Sequence, residues 1–575
     1  MMRTRRLALG LAVLLLAAAC GVGQPGGLLR PAGWPNPGLD LENTRAVVTE
    51  TAIHSGNVGS LGRKWALTGV KGVTGTPVVS GGVLYTADWS GYVRALNAAT
   101  GDELWSQKIG DRVTGSVAID GQRVFAASMD GNLTARSRAD GHELWTVSVD
   151  DNPEALVFAS PIYVRGLVLI GAGSAENIPE HDPGFEFTFR GSMAAFDAAT
   201  GREVWRYWTT CGPQNAGRDN CPAGANEGAG VSVWGSPAVD TALGRIYFGT
   251  GQHYARPTTA RSDSLVALDL RTGREVWTRQ YTAGDVWTLP GASDPDIGPD
   301  ADIGASPSLF RVWGIIPAVG VGDKSGTFKV FNRITGQELW SRKLTDGSAQ
   351  GGVMASPAAV PGWRLGRLND VLYVTSNRGG QAADLVALDS ATGNELWRVD
   401  TGGASVGPVT WANGVLYVAD NTGRFSAYAA SDGSRLWSWK VDVQAAGGMS
   451  VVNGMVYAGW GWSLFSDSPD GGLIAYSLDG EPQPNEPPPE EPDGATVYAQ
   501  NCALCHSTDG TGGSGPSLVG VGSRYSLDEL RAIVQSGRDA MPAWEGELTA
   551  EEIAAVVDYI STAWPGEAAG AAGPG

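Results

Sequence analysis

Positive charge is what this sequence has least of. Its 575 residues carry 41 Lys and Arg against 60 Asp and Glu, a net charge of −19, and only 18% of residues are charged. Phosphate backbones are held by clusters of Lys and Arg, so nucleic acid is excluded as a partner. Electrostatic docking of the whole chain on anionic lipid is disfavoured for the same reason. The acidic balance suits a basic partner or plain solubility. Long apolar runs are also missing, with one exception. Leu7 to Ala19 follows Arg3, Arg5 and Arg6 and is too short and too rich in small residues for a lasting membrane span. It reads as a targeting segment over 1–19 of an exported chain. Cysteine is scarce as well. The five that occur, Cys20, Cys211, Cys221, Cys502 and Cys505, are few enough to be assigned one by one.

The run Leu16-Ala17-Ala18-Ala19-Cys20 resembles the lipobox of bacterial lipoproteins, with the leucine four residues before the cysteine where that family usually has it three before. The resemblance implies that Cys20 is acylated, so that the membrane is met through a lipid anchor only, at the cell envelope. An ordinary cleaved signal peptide is the alternative. Cys211 and Cys221 lie ten positions apart in a Gly/Asn/Pro-rich loop, and in an oxidising compartment they are expected to form a disulfide. Cys502-Ala503-Leu504-Cys505-His506 is the C-x-x-C-H pattern of c-type haem attachment, in which two thiols bond to the haem and the histidine ligates iron. Met541, followed by Pro542, supplies a thioether for the other side of the iron. Covalent haem c is attached outside the bacterial cytoplasm, which agrees with export.

Glycine and tryptophan are abundant, at 82 and 21. They fall into a repeat in which a strand ending Ala-x-Asp leads to x-x-Thr-Gly-x-x-x-Trp. The clear copies end at Trp105, Trp205, Trp277, Trp340 and Trp397, and weaker ones at Trp145 and Trp437. Each Thr-Gly is a turn in which glycine supplies a positive φ, and each Trp is placed to pack one sheet on the next. Trp65 has no first half ahead of it, and Gly472 to Gly480 has no Trp after it. The two halves complement each other and close a ring without exposed edges. The expected fold is therefore an all-β, eight-bladed β-propeller over 46–480, followed by a small all-α domain. The Trp spacings between 145 and 397 are 60, 72, 63 and 57 residues, against 40 elsewhere. Four consecutive blades thus carry insertions, where function is expected. Residues 20–45 read as a Gly/Pro-rich tether, 481–493 as a stiff Pro/Glu linker, 494–565 as the small helical domain and 566–575 as a disordered tail.

The small domain resembles class I cytochromes c over its whole length, in Cys502 to His506, in Gly515-Pro516-Ser517-Leu518 and in Met541-Pro542. The propeller repeats resemble those of pyrroloquinoline quinone (PQQ) dehydrogenases and also those of cofactor-free outer-membrane assembly scaffolds. Residues in the insertions carry the first resemblance further, toward the polyvinyl alcohol dehydrogenase-like branch of quinohaemoproteins. Val233-Trp234-Gly-Ser-Pro followed by Gly249-Thr-Gly-Gln252 is similar to a stretch in which the Trp floors the quinone and an Asn ligates calcium; here that position is Gln252. Asp300-Ala301-Asp302 is similar to the family's Asp-x-Asp, whose first member is the base; Asp302 is the second candidate, and Asp300 is also placed at the calcium. Lys324 matches a cation that contacts the quinone oxygens. Glu176 or Glu186 would be the calcium carboxylate, Arg190 belongs to an Arg-Gly of the same region, and Asn377 matches an asparagine near the quinone. The resemblance implies oxidation of an alcohol or polyol at PQQ with Ca²⁺, and electron transfer through haem c to an acceptor in the envelope. Against these readings, Trp234 could serve core packing, and Asp300, Asp302 and Lys324 could be turn residues. A planar anionic quinone wants an aromatic face and cations, calcium wants oxygen ligands, and an aspartate near a cation ionises readily.

Overall fold

The computed structural model describes residues 33–179, 185–291, 296–348, 351–379, 382–463, 469–483, 493–538, 541–544, 547–548 and 550–565. The targeting segment, Cys20, most of the Pro/Glu linker and the tail lie outside them.

Eight antiparallel sheets succeed one another as blades 1 to 8 of a β-propeller, at 78–108, 118–148, 162–208, 238–280, 308–343, 358–400, 410–440 and 450–477. The outer strand of blade 8 is Gly62–Lys71, paired antiparallel with Asp470–Ser477, so the ring is closed by its N-terminal strand. The Trp of the repeat does more than pack. Its indole N–H donates to a turn carbonyl of the next blade at seven junctions, from Trp65 to Ala98 O at 3.1 Å onward, and at the eighth Trp437 donates to Leu61 O, just before the outer strand of blade 8, at 3.0 Å. The glycine of the following Thr-Gly turn lies under that ring. At Gly201, where φ is +73°, a Cβ would fall 2.8 Å from a Trp145 ring carbon. Glycine is thus required twice, by the backbone and by the neighbouring indole. Trp145→Ala is expected to cost about 3–5 kcal/mol of stability and Gly201→Val to destabilise as well, both read by denaturant unfolding.

Short turns occupy one face of the ring, apart from an excursion over 361–370 in blade 6, and the longest insertions occupy the other. The insertions run through 174–191, 209–237 and 281–307. The disulfide between Cys211 and Cys221 staples the second of these, beside Trp208.

The expected tether does not survive past residue 33. Trp34 is fully buried and pairs with Val79. The chain then crosses the central channel: Leu41, Glu42, Thr44 and Arg45 offer carbonyls to the inner strands of blades 4, 5, 6 and 7, at Val239, Leu309, Ala359 and Trp411. Arg45 is fully buried, donating to Val409 O, Pro37 O and Thr76 Oγ1. These inner-strand contacts lie three residues beyond the turn into each strand, so the segment plugs the short-turn end of the channel.

The propeller does not end cleanly at 480, since Glu481 pairs with Arg63 through backbone and side chain. The small domain holds α1 (Gly494–Asn501), α2 (Ala503–His506), α3 (Val521–Arg524), α4 (Leu527–Ser536) and α5 (Ala550–Ala563). Asp493 caps α1 and Ser526 caps α4 in a reciprocal box with Glu529. Their apolar faces meet around Tyr498, Leu530, Val534, Val556 and Ile560.

Candidate active site and haem site

A cavity of about 740 Å³ opens on the insertion face, above the plug. Its lower wall is a collar of hydroxyls at the start of the inner strands of blades 1 to 6, Thr76, Ser116, Ser160, Ser236, Ser306 and Ser356. Ser116 N donates to Ser160 Oγ, Ser160 N to Ser236 Oγ and Ser236 N to Ser306 Oγ, each at 2.9 Å. The plug supplies the floor with Pro37, Gly38, Asp40, Asn43 and Arg45.

Lys324 stands at the chemical centre. It sits in the turn Asp323-Lys324-Ser325-Gly326, which Asp323 holds by accepting from Ser325 Oγ and Thr327 N. The Lys324 ammonium lies 2.7 Å from Asp300 Oδ1 and 2.8 Å from Asp302 Oδ2. It also lies over two indoles, 5.6 Å from the Trp234 ring centre and 5.9 Å from that of Trp287. Asp300 takes a left-handed backbone at φ +56°, an uncommon conformation that concentrates at working sites. The next peptide is fixed by Ala301 N donating to Asp285 Oδ2, and Asp302 Oδ1 accepts from Gln252 N at 2.7 Å.

Burial, with Asp302 and Asp285 adding to it against the pull of Lys324, pushes the Asp300 carboxyl up to about 6. Asp285 behind it is also raised to about 6, chiefly by burial. Asp263, fully enclosed, is driven well above the usual range by burial and then by Asp302 and Asp285. Burial alone would lower the Lys324 ammonium, but Asp302 and Asp300 outweigh it and hold it above its ordinary value. Lys324 is therefore a firm cation, and Asp300 titrates within the working range of a base.

The cavity fits a flat, anionic cofactor. Trp234 lies on Gly304, where a Cβ would come 2.0 Å from its ring, and is only partly buried. Trp89, Phe158, Tyr254, Trp287 and Trp462 line the walls with Arg112 and Lys324 as cations. The calcium set fits less well. Turned so that each donor meets an acceptor, the Gln252 amide gives its nitrogen to Asp302 Oδ2 at 3.0 Å and takes Asn177 Nδ2 on its oxygen at 3.2 Å. The Glu176 carboxylate accepts from Thr188 N and Phe189 N, and Glu186 is exposed. Among the described residues no three His, Cys, Asp or Glu side chains converge on a metal position.

Of the residues singled out by sequence, the structure brings Trp234, Gln252, Asp300, Asp302 and Lys324 into one cavity. Four others are not among its lining: Glu176, Glu186, Arg190 and Asn377. Arg190 lines a separate polar cavity of about 320 Å³ with Arg206 and Arg218, and Asn377 is buried with its oxygen on Ser405 N. Sequence reasoning missed Arg112, Trp89, Asn177, Trp287 and the collar. The collar had a signal, a recurring Ser/Thr-Pro at 76–77, 160–161, 236–237, 306–307 and 356–357.

In the small domain Cys502 and Cys505 are free thiols beside the buried His506. His506 Nδ1 is 2.8 Å from Pro516 O, which leaves Nε2 for a metal. Met541 packs on the same apolar cluster. These residues fit a covalently held haem. Leu504, inside the haem motif, also lines the propeller cavity. A second point of approach is Gly379, where a Cβ would fall 1.6 Å from Glu547 Oε2. Gly379→Leu is expected to unseat the haem domain and slow haem reduction within the chain by about tenfold to a hundredfold, with dye-coupled turnover unchanged, as stopped-flow spectroscopy would show.

Comparison with known proteins agrees with this layout. A family profile described as glucose/ethanol/alcohol dehydrogenase, beta-propeller domain (PQQ) matches residues 150–358. One described as cytochrome C oxidase, cbb3-type, subunit III matches 489–560, and one described as outer membrane protein assembly factor BamB matches 324–500. A polyvinylalcohol dehydrogenase of Pseudomonas sp is 27% identical over 79% of this chain and 78% of its own. The quinohemoprotein alcohol dehydrogenase of Comamonas testosteroni is 24% identical over 92% of this chain and 91% of its own. A crystal structure of quinohemoprotein alcohol dehydrogenase from that organism shares the fold, with a TM-score of 0.65 at 21% identity over 93% of this chain and 95% of the other.

Proposed function

From a PQQ-type eight-bladed propeller joined to a cytochrome c domain, we propose a quinohaemoprotein dehydrogenase that oxidises an alcohol or polyol and passes the electrons to an envelope acceptor. The observation that carries this reading is Lys324, held between Asp300 and Asp302 over Trp234 in a cavity that the haem motif's Leu504 also lines. PQQ, when bound, supplies the two-electron acceptor for the substrate hydride, and haem c, when attached, supplies the one-electron outlet. The chain's own residues do the rest. Trp234 and the surrounding aromatics hold a flat ring and exclude water. Asp300 takes the hydroxyl proton of the substrate. Lys324 offers fixed positive charge where negative charge develops, and Asp302 aims Lys324 while tying Gln252 to the same wall. Cys502 and Cys505 would fix the haem, and His506 and Met541 would hold its iron. Oxidation releases two protons and two electrons per substrate, and the electrons leave singly.

Export and acylation at Cys20 complete the proposal and set the enzyme on the envelope. No step is assigned to calcium: the Glu176 carboxylate is taken up by the amides of Thr188 and Phe189, and the Gln252 amide by Asp302 and Asn177. Chelation and calcium return test this separately: unchanged turnover leaves Lys324 as the required cation, whereas loss and recovery would mean that Glu176 and Gln252 turn inward.

The second reading is a non-enzymatic scaffold, favoured by the profile match over 324–500. The two separate cleanly. Purified protein reconstituted with PQQ is expected to reduce its own haem when given a primary or secondary alcohol, without a mediator. No haem reduction by any alcohol, together with no PQQ in the extracted protein by mass spectrometry, would establish the scaffold.

A further inference from the structure

The short-turn face of the propeller carries an apolar surface that the proposed chemistry does not use. Among the described residues five large apolar side chains are more than half exposed, and four of them sit in two adjoining turns. Trp313 (52% exposed) and Ile315 (74%) belong to the first turn of blade 5, and Trp363 (64%) and Leu368 (79%) to the corresponding connection of blade 6. A Cβ on Gly314 would lie 3.9 Å from Leu368 O, so the two turns meet.

Trp313 is the telling residue. Its φ is +52°, a left-handed conformation that disfavours bulky side chains. At the same place blades 1, 3, 7 and 8 carry Gly81, Arg165, Asn413 and Asn453, also at positive φ. Three of those four are Gly or Asn, residues that take this conformation readily, and blade 5 instead presents an indole to solvent. Blade 6 replaces the two-residue turn with an excursion over 361–370 that exposes a second indole. Arg311, Arg364 and Arg367 are exposed around them, with Arg364 4.5 Å above the Trp363 ring and donating to Val48 O.

The placement says what covers this surface. Gly33 lies beside Ser80, and Val48 meets Arg364, so the N-terminal segment enters and leaves the channel on this same face. Cys20 lies thirteen positions before Gly33, about 45 Å at full extension. Indoles with arginines around them suit the headgroup level of a bilayer, and each Arg near an anionic surface adds about 1 kcal/mol. We propose that Trp313, Ile315, Trp363 and Leu368 form a membrane-seating surface for an anionic bilayer, which holds the cavity face away from the lipid. It adds to the lipid-anchor reading a second contact that acts locally despite the negative net charge.

The test uses the chain from residue 21 onward, which keeps every described residue and lacks the acylated cysteine. It is expected to cosediment with phosphatidylglycerol-containing vesicles and less with phosphatidylcholine alone. Trp313→Asn with Trp363→Ser is expected to lower binding about tenfold, with the melting temperature and haem spectrum unchanged. Absence of vesicle binding, or equal binding by the double variant, overturns the proposal. So does a dimer in ultracentrifugation that the same substitutions break while vesicles stay unbound. Mass spectrometry of the mature N-terminus tests acylation independently, so failure of the anchor and failure of the surface are told apart.

Discussion

Asp300→Asn is expected to lower kcat by about two to four orders of magnitude while PQQ retention and haem attachment stay as they are. The substitution keeps the size of the side chain and an oxygen for the Lys324 ammonium, now 2.7 Å away. It removes only the ability to take a proton. The pH dependence gives an independent readout. Burial raises the Asp300 carboxyl to about 6, so turnover of the native enzyme should climb as pH rises through that value and level off above it. The variant should lose that limb. Stability moves the other way. A carboxyl whose folded value lies above its unfolded one binds more protons when folded, so its contribution falls as pH rises from about 4 to about 6. In cofactor-free protein the native melting temperature should therefore decline across this window relative to that of Asp300→Asn. Unimpaired turnover by the variant would move the base to Asp302.

The propeller was legible because its signal is local and repeated. Gly and Trp lie four residues apart in one blade, and the ring follows from handing seven of the indoles to the next blade's glycine, with Trp437 meeting Leu61 at the closure. The plug was not legible. Trp34-Pro-Asn-Pro-Gly38 has no period, and its Gly/Pro content is that of a linker. Its partners at Val79, Val239, Leu309, Ala359 and Trp411 are supplied by the finished ring. The same distinction divides the site residues. Trp234, Asp300 and Asp302 lie near the ends of insertions, a few residues before the inner strands that begin at Ala238 and Ser308, and Lys324 lies in a turn of blade 5, so regular strands fix their place in the cavity. Glu176, Glu186 and Arg190 sit in the insertion of blade 3, whose path depends on contacts with Thr188, Phe189 and the disulfide loop. Ser174, Ala175, Asn177 and Ile178 on either side of Glu176 line the cavity, while the Glu176 carboxylate itself is held by the amides of Thr188 and Phe189. Asn377 is a different case. It lies on a strand of blade 6 with its amide oxygen turned to Ser405.

Lys324→Met is expected to have an effect as large as that of Asp300→Asn, but through charge. Burial is the main force raising the Asp300 carboxyl, and Lys324 is the main force opposing it. Without the ammonium, Asp300 and Asp302 face each other in a buried wall with Asp285 and Asp263 behind. The least costly response is for Asp300 to keep its proton at neutral pH, which disables the base. Fixed charge toward the developing negative centre is lost at the same time, typically a factor of 10² to 10³. Stability should fall by about 3–5 kcal/mol if Asp300 stays ionised, as when one partner of a buried pair is removed, and by less if it takes up a proton. A double-mutant cycle separates these outcomes. Adding Asp300→Asn to Lys324→Met removes the orphaned carboxylate, so the double variant should be more stable than Lys324→Met alone while remaining inactive. Additive losses in stability would mean that the 2.7 Å contact carries no coupling. Lys324→Arg keeps the charge with a longer, planar head and should retain part of the turnover, provided the fork reaches both aspartates over Trp234.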